Sequence, residues 1–529
     1  MKKIFLIFSI SFCICKSWAQ SDIDVLQYKF KIGLNDADDS IKGLAIITVR
    51  FLHATSEVKF DLVKQKSDGK GMKVLKTEGN NIRGWSHQDD QLRILLGSQK
   101  KVGDTGIYII HYSGIPADGL IISKTKFGAR GFFADNWPDR GHHWIPCHED
   151  PADKAKLEFS VTAPDHYQVV ANGIQIEETS LGNGFKTTVW KEDVPVSPKV
   201  MVIGVADFAV NLSGFIDGCI PVYSWVYPEN KDKGFYDYAQ AGGILEYYIN
   251  HVGPYGYKKL ANVQSKTRFG GLENANTIFY SENSVTGTRK SEGLLAHEIA
   301  HQWFGNMATE KNFGHLWLSE GFATYFTILY FENKYGKDTA TYMLKEDREQ
   351  TIAYSKRSDK PIVDESEKNY MNLLNANSYQ KGGWILHMLR SQLGDSVFWR
   401  SIRKYYHTYA GSIAGTEDLQ KIFENESGYD LSVFFKQWLY TTGQPELSIK
   451  WEFNSQKKET TVTINQLQKG NFIFLLTIGF DYGNGKSEKQ KVNIDTKSKT
   501  FTFKSLQKPN NVVPDPDTEL LMQATISEK

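Results

Sequence analysis

The sequence predicts a multidomain α+β protein in which a helical region lies between two β regions. The chain has 529 residues, enough for about three or four domains. Apolar and polar residues alternate near both ends of the chain, whereas a helical period dominates the middle. Apolar residues make up 40% and charged residues 23% of the composition, which is ordinary globular usage and excludes wholesale disorder.

Residues 1–19 have the composition of a signal peptide. A basic start, Met1-Lys2-Lys3, precedes the apolar run Ile4–Cys15, and Ser17-Trp18-Ala19 offers small residues where a signal peptidase reads them. This signal-peptide pattern predicts an exported protein, periplasmic or secreted. Because the apolar run is shorter than the ~20 residues that span a bilayer, we expect no transmembrane anchor.

Three domains are predicted to follow. Alternation in runs such as Ile41–Phe51, with breaks such as Leu181–Gly184, indicates an antiparallel β domain over residues 20–211. Long helical segments, with stops at Gly336 and Gly394, indicate a second domain over residues 212–444. The predicted helices are Gly293–Gly305, Leu318–Tyr335, Gly383–Leu393 and Leu431–Tyr440. Alternation returns over residues 445–529, a length that suits a small β-sandwich.

Charge and cysteine content restrict the partners and the class of fold. The formal net charge is +1, so charge implies no polyanionic partner and argues against nucleic-acid binding. Beyond the signal segment only Cys147 and Cys219 remain, which excludes a disulfide scaffold. One bridge between them and two free thiols are both consistent with the sequence.

A metal-binding pattern lies in the first of the predicted helices. His297 and His301 flank Glu298 in the order H-E-x-x-H. Histidines four residues apart lie on one helix face, so both imidazoles can bind a single ion while Glu298 projects beside them. Taken alone, the pattern could also be two histidines packed in a core.

Glu320 supplies a third ligand. Eighteen residues separate it from His301, and two antiparallel helices joined by a turn can bring the two side chains together. Two histidines and a carboxylate are the protein ligands of an open catalytic zinc site, whereas structural zinc more often recruits cysteines and closes all four positions. The sequence therefore predicts one catalytic zinc ion per chain.

Four separated motifs of this sequence resemble those of the aminopeptidase N family of gluzincins, peptidase family M1, and they follow one another along the chain in the family's order. Besides the zinc motif with Glu320, they are Gly270–Asn274 (G-x-M-E-N), Tyr379–Gly382 (Y-x-K-G) and the Pro146–Pro151 segment followed by Lys154-Ala155. The resemblance implies a saddle-like N-terminal β domain, a thermolysin-like mixed α/β catalytic domain and a C-terminal β-sandwich.

The resemblance also implies roles for the motif residues. Glu298 is expected to be the general base and Tyr379 the donor to the oxyanion. Glu273 is expected to pair with the α-ammonium of a peptide, on a segment where Gly270 and Gly271 let the substrate backbone approach. Asn274, which completes that motif, is expected at the same substrate site.

The sequence departs from the family pattern in two places. Asp135 and Trp137 stand where many relatives have the glutamine and the second acid of T-Q-x-E-P. Asp135 is expected to share the anchoring of the amine, whereas Trp137 carries no charge. The chain also ends at Lys529, which predicts a short form without the large helical C-terminal domain of many relatives.

These inferences predict a zinc aminopeptidase that acts on peptides with a free N-terminus. Two alternatives stay open at this point. One is a related gluzincin with endopeptidase or epoxide hydrolase activity, and the other is a non-catalytic peptide-binding protein. An N-blocked peptide tests the first alternative, and turnover of an aminoacyl-anilide would exclude the second.

Overall fold

A computed structural model describes residues 21–529 as three consecutive regions, each with its own sheets. The predicted signal peptide, residues 1–19, lies outside the described residues. The multidomain α+β class is confirmed, with strands at both ends and helices between them. No helix in the described part of the chain combines the length and apolar character needed to cross a bilayer.

The N-terminal region is built from β-strands, several of which bury every second residue, as Ile41–Phe51 does. They form a seven-stranded sheet (β12-β13-β10-β1-β2-β7-β4), a four-stranded sheet (β11-β14-β9-β8) and a three-stranded sheet (β3-β6-β5). All neighbours pair antiparallel except β1 and β10, which run parallel with Tyr28 opposite Leu157. The strands are β1 (Ile23–Gly33), β2 (Ile41–Phe51), β3 (Thr55–Asp61), β4 (Gly71–Gly79), β5 (Ile82–Gln88), β6 (Gln91–Lys100), β7 (Thr105–Ile115), β8 (Leu120–Lys124), β9 (Arg130–Ala134), β10 (Ala155–Pro164), β11 (Gln168–Ala171), β12 (Ile174–Ser180), β13 (Phe185–Val196) and β14 (Ile203–Ala206).

The central region combines a mixed five-stranded sheet (β15-β16-β17-β19-β18) with nine α-helices among the described residues. The predicted border at residue 211 falls inside β15, which pairs with β16 and so belongs to this sheet. The elements are β15 (Ala209–Ile216), β16 (Ile220–Val226), α1 (Lys231–Tyr238), α2 (Gln240–His251), β17 (Leu260–Ser265), β18 (Gly271–Leu272), β19 (Thr277–Ser281), α3 (Glu292–Ala300), β20 (Ala308–Glu310), α4 (Trp317–Tyr335), α5 (Lys337–Ser355), α6 (Gly382–Leu393), α7 (Asp395–Tyr409), β21 (Ser412–Ala414), α8 (Thr416–Ser427) and α9 (Ser432–Leu439).

The predicted helix ends agree with the structure where a glycine stops the helix. α4 and α6 end just before Gly336 and Gly394, which have φ of 92° and 83°, a conformation that glycine adopts readily. α3 ends at Ala300, five residues before the predicted end at Gly305. The reason is a tight turn over the next residues, in which the backbone N–H of Asn306 donates to the carbonyl of His301.

The C-terminal region consists of two sheets, β26-β23-β22-β28 and β25-β24-β27, as the predicted β-sandwich requires. Its strands are β22 (Glu446–Asn454), β23 (Glu459–Gln466), β24 (Phe474–Gly483), β25 (Lys486–Ile494), β26 (Ser498–Lys504), β27 (Asn511–Pro514) and β28 (Gln523–Glu528). Cys147 is buried, Cys219 is exposed, and both are free thiols.

Buried polar side chains join the N-terminal β region to the central region. The amide of Asn172 donates to the carbonyl of Ala275 over 2.8 Å. Asn276 donates to Glu192 over 2.7 Å, and the ammonium of Lys259 binds the carbonyl of Ala171 over 3.0 Å. Hydrogen bonds of this kind satisfy groups that would be costly to bury alone, so they fix how the two regions sit against each other.

Candidate functional site

The three predicted metal ligands converge from two helices. His297 and His301 lie one turn apart on α3, and their Nε2 atoms are 3.2 Å from each other. Glu320, in the first turn of α4, places its Oε2 3.3 Å from Nε2 of His297 and 3.2 Å from that of His301. The ligand atoms of all three residues lie within 4.8 Å of one another, a spacing that a single ion can bridge.

The electrostatics of this cluster suit a cation. Burial lowers the pKa of the His301 imidazole, but the carboxylates of Glu320 and Glu273 outweigh that effect and raise it to about 9. Burial raises the pKa of the Glu320 carboxyl, but the two histidines outweigh that effect and hold it well below its usual range. Positive charge is therefore strongly favoured here, and two histidines with one carboxylate are the donor set of a catalytic zinc site.

A second layer of contacts orients His301. Its Nδ1 lies 3.0 Å from the hydroxyl of Ser319 and 3.2 Å from the carbonyl of Phe304. Partners on the far nitrogen of a ligating histidine fix its ring orientation and tautomer. Sequence analysis missed Ser319, although its place directly before Glu320 on α4 was a usable signal.

Glu298 is buried beside the histidines and faces the edge of the central sheet. A Cβ on Gly271, in the edge strand β18, would collide with the Glu298 carboxylate, so glycine is needed where β18 meets α3. Burial raises the pKa of the Glu298 carboxyl well above its usual range, and the negative charges of Glu273 and Glu320 add to that effect. Such a carboxylate has a strong tendency to take up a proton.

Tyr379 lies on a π-helical turn, Asn377–Lys381, that leads into α6. Its ring stacks on that of His297, with centroids 5.9 Å apart and planes 10° from parallel. Burial and the surrounding carboxylates hold the pKa of the Tyr379 hydroxyl well above its usual range, so the hydroxyl keeps its proton and can donate it in a hydrogen bond.

A close crossing of α4 and α6 places Tyr379 beside the predicted metal ligands. A Cβ on Gly321 would lie 2.8 Å from the backbone of Gly382, which only glycine avoids. Gly321 directly follows the predicted ligand Glu320, and Gly382 lies three residues after Tyr379. The two helices can therefore bring both functional groups to one place.

Glu273 contributes a carboxylate that has no protein partner in the described structure. Its side chain is 5% exposed, and its buried Oε1 makes no hydrogen bond with any described residue. The backbone around it is fixed, because Gln302 and Asn306 donate to its carbonyl over 3.2 and 2.6 Å. A buried carboxylate without a partner is unfavourable unless a ligand pairs with it.

A single cavity of about 270 Å³ connects these groups. Gly270 and Gly271 form part of its wall. It also has apolar side chains in its walls. The sequence indicated only Trp137, which aligns with the amine-anchoring segment, and Leu294, which precedes Glu298 by one helical turn. The full lining is Trp137, Phe269, Gly270, Gly271, Leu272, Glu273, Leu294, His297, Glu298, His301, Glu320, Leu374 and Tyr379.

Two predicted site residues are not part of this lining. The carboxylate of Asp135 is buried and forms an ion pair with Arg140, and it also accepts the backbone N–H of Arg268 over 3.1 Å. These partners occupy it, so it is not available to anchor an amine. Asn274 is buried behind the cavity wall, and both polar atoms of its side chain lack a hydrogen-bond partner among the described residues.

Comparisons with known proteins give two family models and several aminopeptidase relatives. The Peptidase family M1 domain model matches residues 236–438, and the Peptidase M1 N-terminal domain model matches residues 25–198. The chain is 25% identical over 509 residues to Aminopeptidase M1-B of Oryza sativa subsp. japonica, covering 89% of this chain and 56% of the rice protein. It is 30% identical over 404 residues to Aminopeptidase M1-C of the same plant, covering 69% of this chain and 43% of that protein.

The same architecture is found in a solved structure. A crystal structure of Legionella pneumophila aminopeptidase A in complex with aspartic acid superposes with a TM-score of 0.83 at 16% identity, covering 97% of this chain and 60% of that chain. The chain thus spans about half the length of the curated relatives named above. Two matching models over most of the sequence, together with this fold, show that the chain belongs to peptidase family M1.

Proposed function

We propose that this protein is a zinc-dependent aminopeptidase that removes the first residue of peptides with a free N-terminus. The observation that carries the proposal is the buried, unpartnered carboxylate of Glu273 in the same cavity as the three metal donors. A peptide α-ammonium has the charge and hydrogen-bond donors that this carboxylate needs. Cleavage next to a captured N-terminus is what defines an aminopeptidase.

His297, His301 and Glu320 would hold the zinc ion, which when bound polarises the scissile carbonyl and makes water a better nucleophile. Glu298, one residue from His297 and of raised pKa, accepts the proton of the attacking water. It then returns that proton to the amine that leaves. Burial in the cavity keeps bulk water away from both transfers.

Tyr379 and Glu273 act on the substrate itself. The protonated hydroxyl of Tyr379 donates a hydrogen bond to the oxyanion that develops on the scissile carbonyl. Glu273 pairs with the α-ammonium and so sets the register of the bond that is cut. Gly270 and Gly271 leave the peptide backbone free to approach the edge strand β18.

Metal analysis tests the proposed centre. We expect one zinc ion per purified chain, loss of aminoacyl-coumarin hydrolysis after chelation, and recovery on adding zinc, because all three donors point to one position. Elemental analysis before and after dialysis, with hydrolysis assayed in parallel, measures this. Full hydrolysis by protein verified as metal-free would contradict the proposal.

The Tyr379→Phe variant tests the oxyanion donor. We expect kcat to fall by about 10²–10³-fold with KM little changed, because the hydroxyl acts where charge develops only in the transition state. Tyr370→Phe is a matched control, since Tyr370 packs on Phe313 nearby but does not line the cavity. A kcat close to wild type in Tyr379→Phe would assign this residue to packing alone.

We also propose that the protein acts outside the cytoplasm, in the periplasm or the medium. The support is the signal-peptide composition of residues 1–19. Mass spectrometry of the N-terminus of the protein recovered from its native host tests this proposal. An N-terminus that retains residues 1–19 would contradict it.

A further inference from the structure

We propose that the first residue of the preferred peptide is apolar and uncharged, and that Trp137 is a specificity-determining residue for that side chain. The inference rests on the proposed aminopeptidase function and names the substrate class for the same cavity. It goes beyond the metal centre, because it depends on Trp137, a residue of the cavity lining that the N-terminal β region supplies.

The residues that line the cavity fall into two groups by chemistry, called here the catalytic side and the apolar side. The metal donors, Glu298 and Tyr379 all belong to the catalytic side. The remaining side chains are apolar or aromatic, apart from Glu273, and they are Trp137, Phe269, Leu272, Leu294 and Leu374. When Glu273 binds the α-ammonium and the scissile carbonyl lies beside Tyr379, the first side chain of the peptide is left to face this apolar side.

An aromatic cluster fixes the position of Trp137. The side chain is 2% exposed, and its ring meets those of Phe269 and Phe313 edge-to-face, each at a centroid distance of 5.9 Å. Aromatic pairs in this geometry stabilise one ring orientation. Trp137 is therefore a preformed wall and needs no rearrangement to receive an apolar group.

The cations beside this wall are already paired. The guanidinium of Arg140 lies 5.7 Å from the centroid of Phe269 and forms a buried ion pair with Asp135. Arg268 forms an ion pair with Asp118. An acidic first side chain would find no free positive partner among these groups, and burying an unpaired carboxylate is costly.

A basic first side chain meets the same difficulty. Glu273 is the carboxylate on this side of the cavity, and in the proposed complex the α-ammonium of the substrate neutralises it. Asp135 is held by Arg140 and by the backbone of Arg268, so it offers no second negative charge. An apolar side chain alone loses nothing on entering and gains the burial of its surface.

Hydrolysis of four fluorogenic substrates tests the substrate class. We expect kcat/KM of the purified wild-type protein for leucyl-coumarin to exceed that for glutamyl- and lysyl-coumarin by about 100-fold or more, with alanyl-coumarin in between. Values for the glutamyl or lysyl substrate within tenfold of leucyl would overturn the inference while the aminopeptidase function stands. Hydrolysis of none of the four would overturn the proposed function itself.

Substitution at Trp137 tests the residue. We expect Trp137→Ala to reduce the leucyl-to-alanyl ratio of kcat/KM by about tenfold or more, because part of the apolar wall is lost, and Trp137→Phe to restore most of it. Phe313→Leu is the matched control, since Phe313 supports the same cluster but does not line the cavity, and its ratio should stay near wild type.

Two outcomes would overturn the role of Trp137. One is an unchanged ratio in a Trp137→Ala protein whose thermal unfolding matches wild type. The other is an equal loss of ratio in Phe313→Leu, which would make the effect a general result of disturbing the cluster. Should Trp137→Ala fail to fold, the ratio in Trp137→Phe decides, because the smaller ring leaves part of the wall empty. An unchanged ratio in Trp137→Phe then overturns the role, and a modest loss that Phe313→Leu does not share supports it.

Discussion

Replacing Glu298 with glutamine is expected to lower turnover by about 10²–10⁴-fold while the protein keeps its zinc. Glutamine has nearly the same shape, so it can occupy the space against Gly271 that the glutamate fills. Its amide cannot accept the proton of water. Because the three metal donors are other residues, the loss should fall on kcat and leave the metal content near one ion per chain.

Glu292→Gln is a suitable control for this variant. Glu292 lies on the same helix, α3, but its carboxylate binds Lys334, Tyr330 and Tyr335 away from the cavity. Steady-state hydrolysis and elemental analysis of both variants separate the two roles. Loss of zinc from Glu298→Gln would show that the general base and the ligands have been misassigned.

Replacing Glu273 with glutamine is expected to lower kcat/KM for free-amine substrates, with a loss of about 2–5 kcal/mol of transition-state stabilisation. A peptide N-terminus has a pKa of about 7.7–8.0, so it is mainly an ammonium at neutral pH. In the buried position of Glu273 the ion pair is shielded from water, and a neutral amide cannot replace it. N-acetylated substrates should remain uncleaved by wild type and variant alike.

Glu282→Gln controls for the removal of a carboxylate near the same sheet. Glu282 pairs with Lys266 and does not line the cavity, so kcat/KM should change little. The aminopeptidase proposal fails if Glu273→Gln cleaves free-amine peptides at the wild-type rate and wild type cuts N-acetylated ones. That pair of results would favour the endopeptidase alternative.

Local patterns in the sequence predicted most of the helices and strands, but they did not predict which distant strands pair with each other. Alternation identified strands such as β2 because every second side chain is buried, and Gly336 marked the end of α4 because a positive φ suits glycine. The parallel pairing of β1 with β10 joins Tyr28 to Leu157, far apart in sequence. Nothing in either strand alone indicates such a partner.

The candidate site shows the same division between local and distant information. The spacing of His297 and His301 on one helix is a local property, so the sequence predicted their convergence. Asp135 looked like an amine anchor from its aligned position, but Arg140, five residues later, pairs with it. The apolar wall formed by Phe269 and Leu374 depends on tertiary packing, and no periodicity in the sequence indicates it.

The buried hydrogen bonds between the first two regions make the proposed substrate anchor depend on the N-terminal β region. The segment that carries Glu273 continues into Ala275 and Asn276, and both are held by the N-terminal β region through Asn172 and Glu192. The proposed zinc ligands, in contrast, belong to two helices of the central region. The N-terminal β region therefore helps to position the carboxylate proposed to bind the substrate N-terminus, whereas the central region carries the proposed metal ligands. A chimaera that exchanged the N-terminal β region alone is expected to keep its metal and to lose its preference for a free N-terminus.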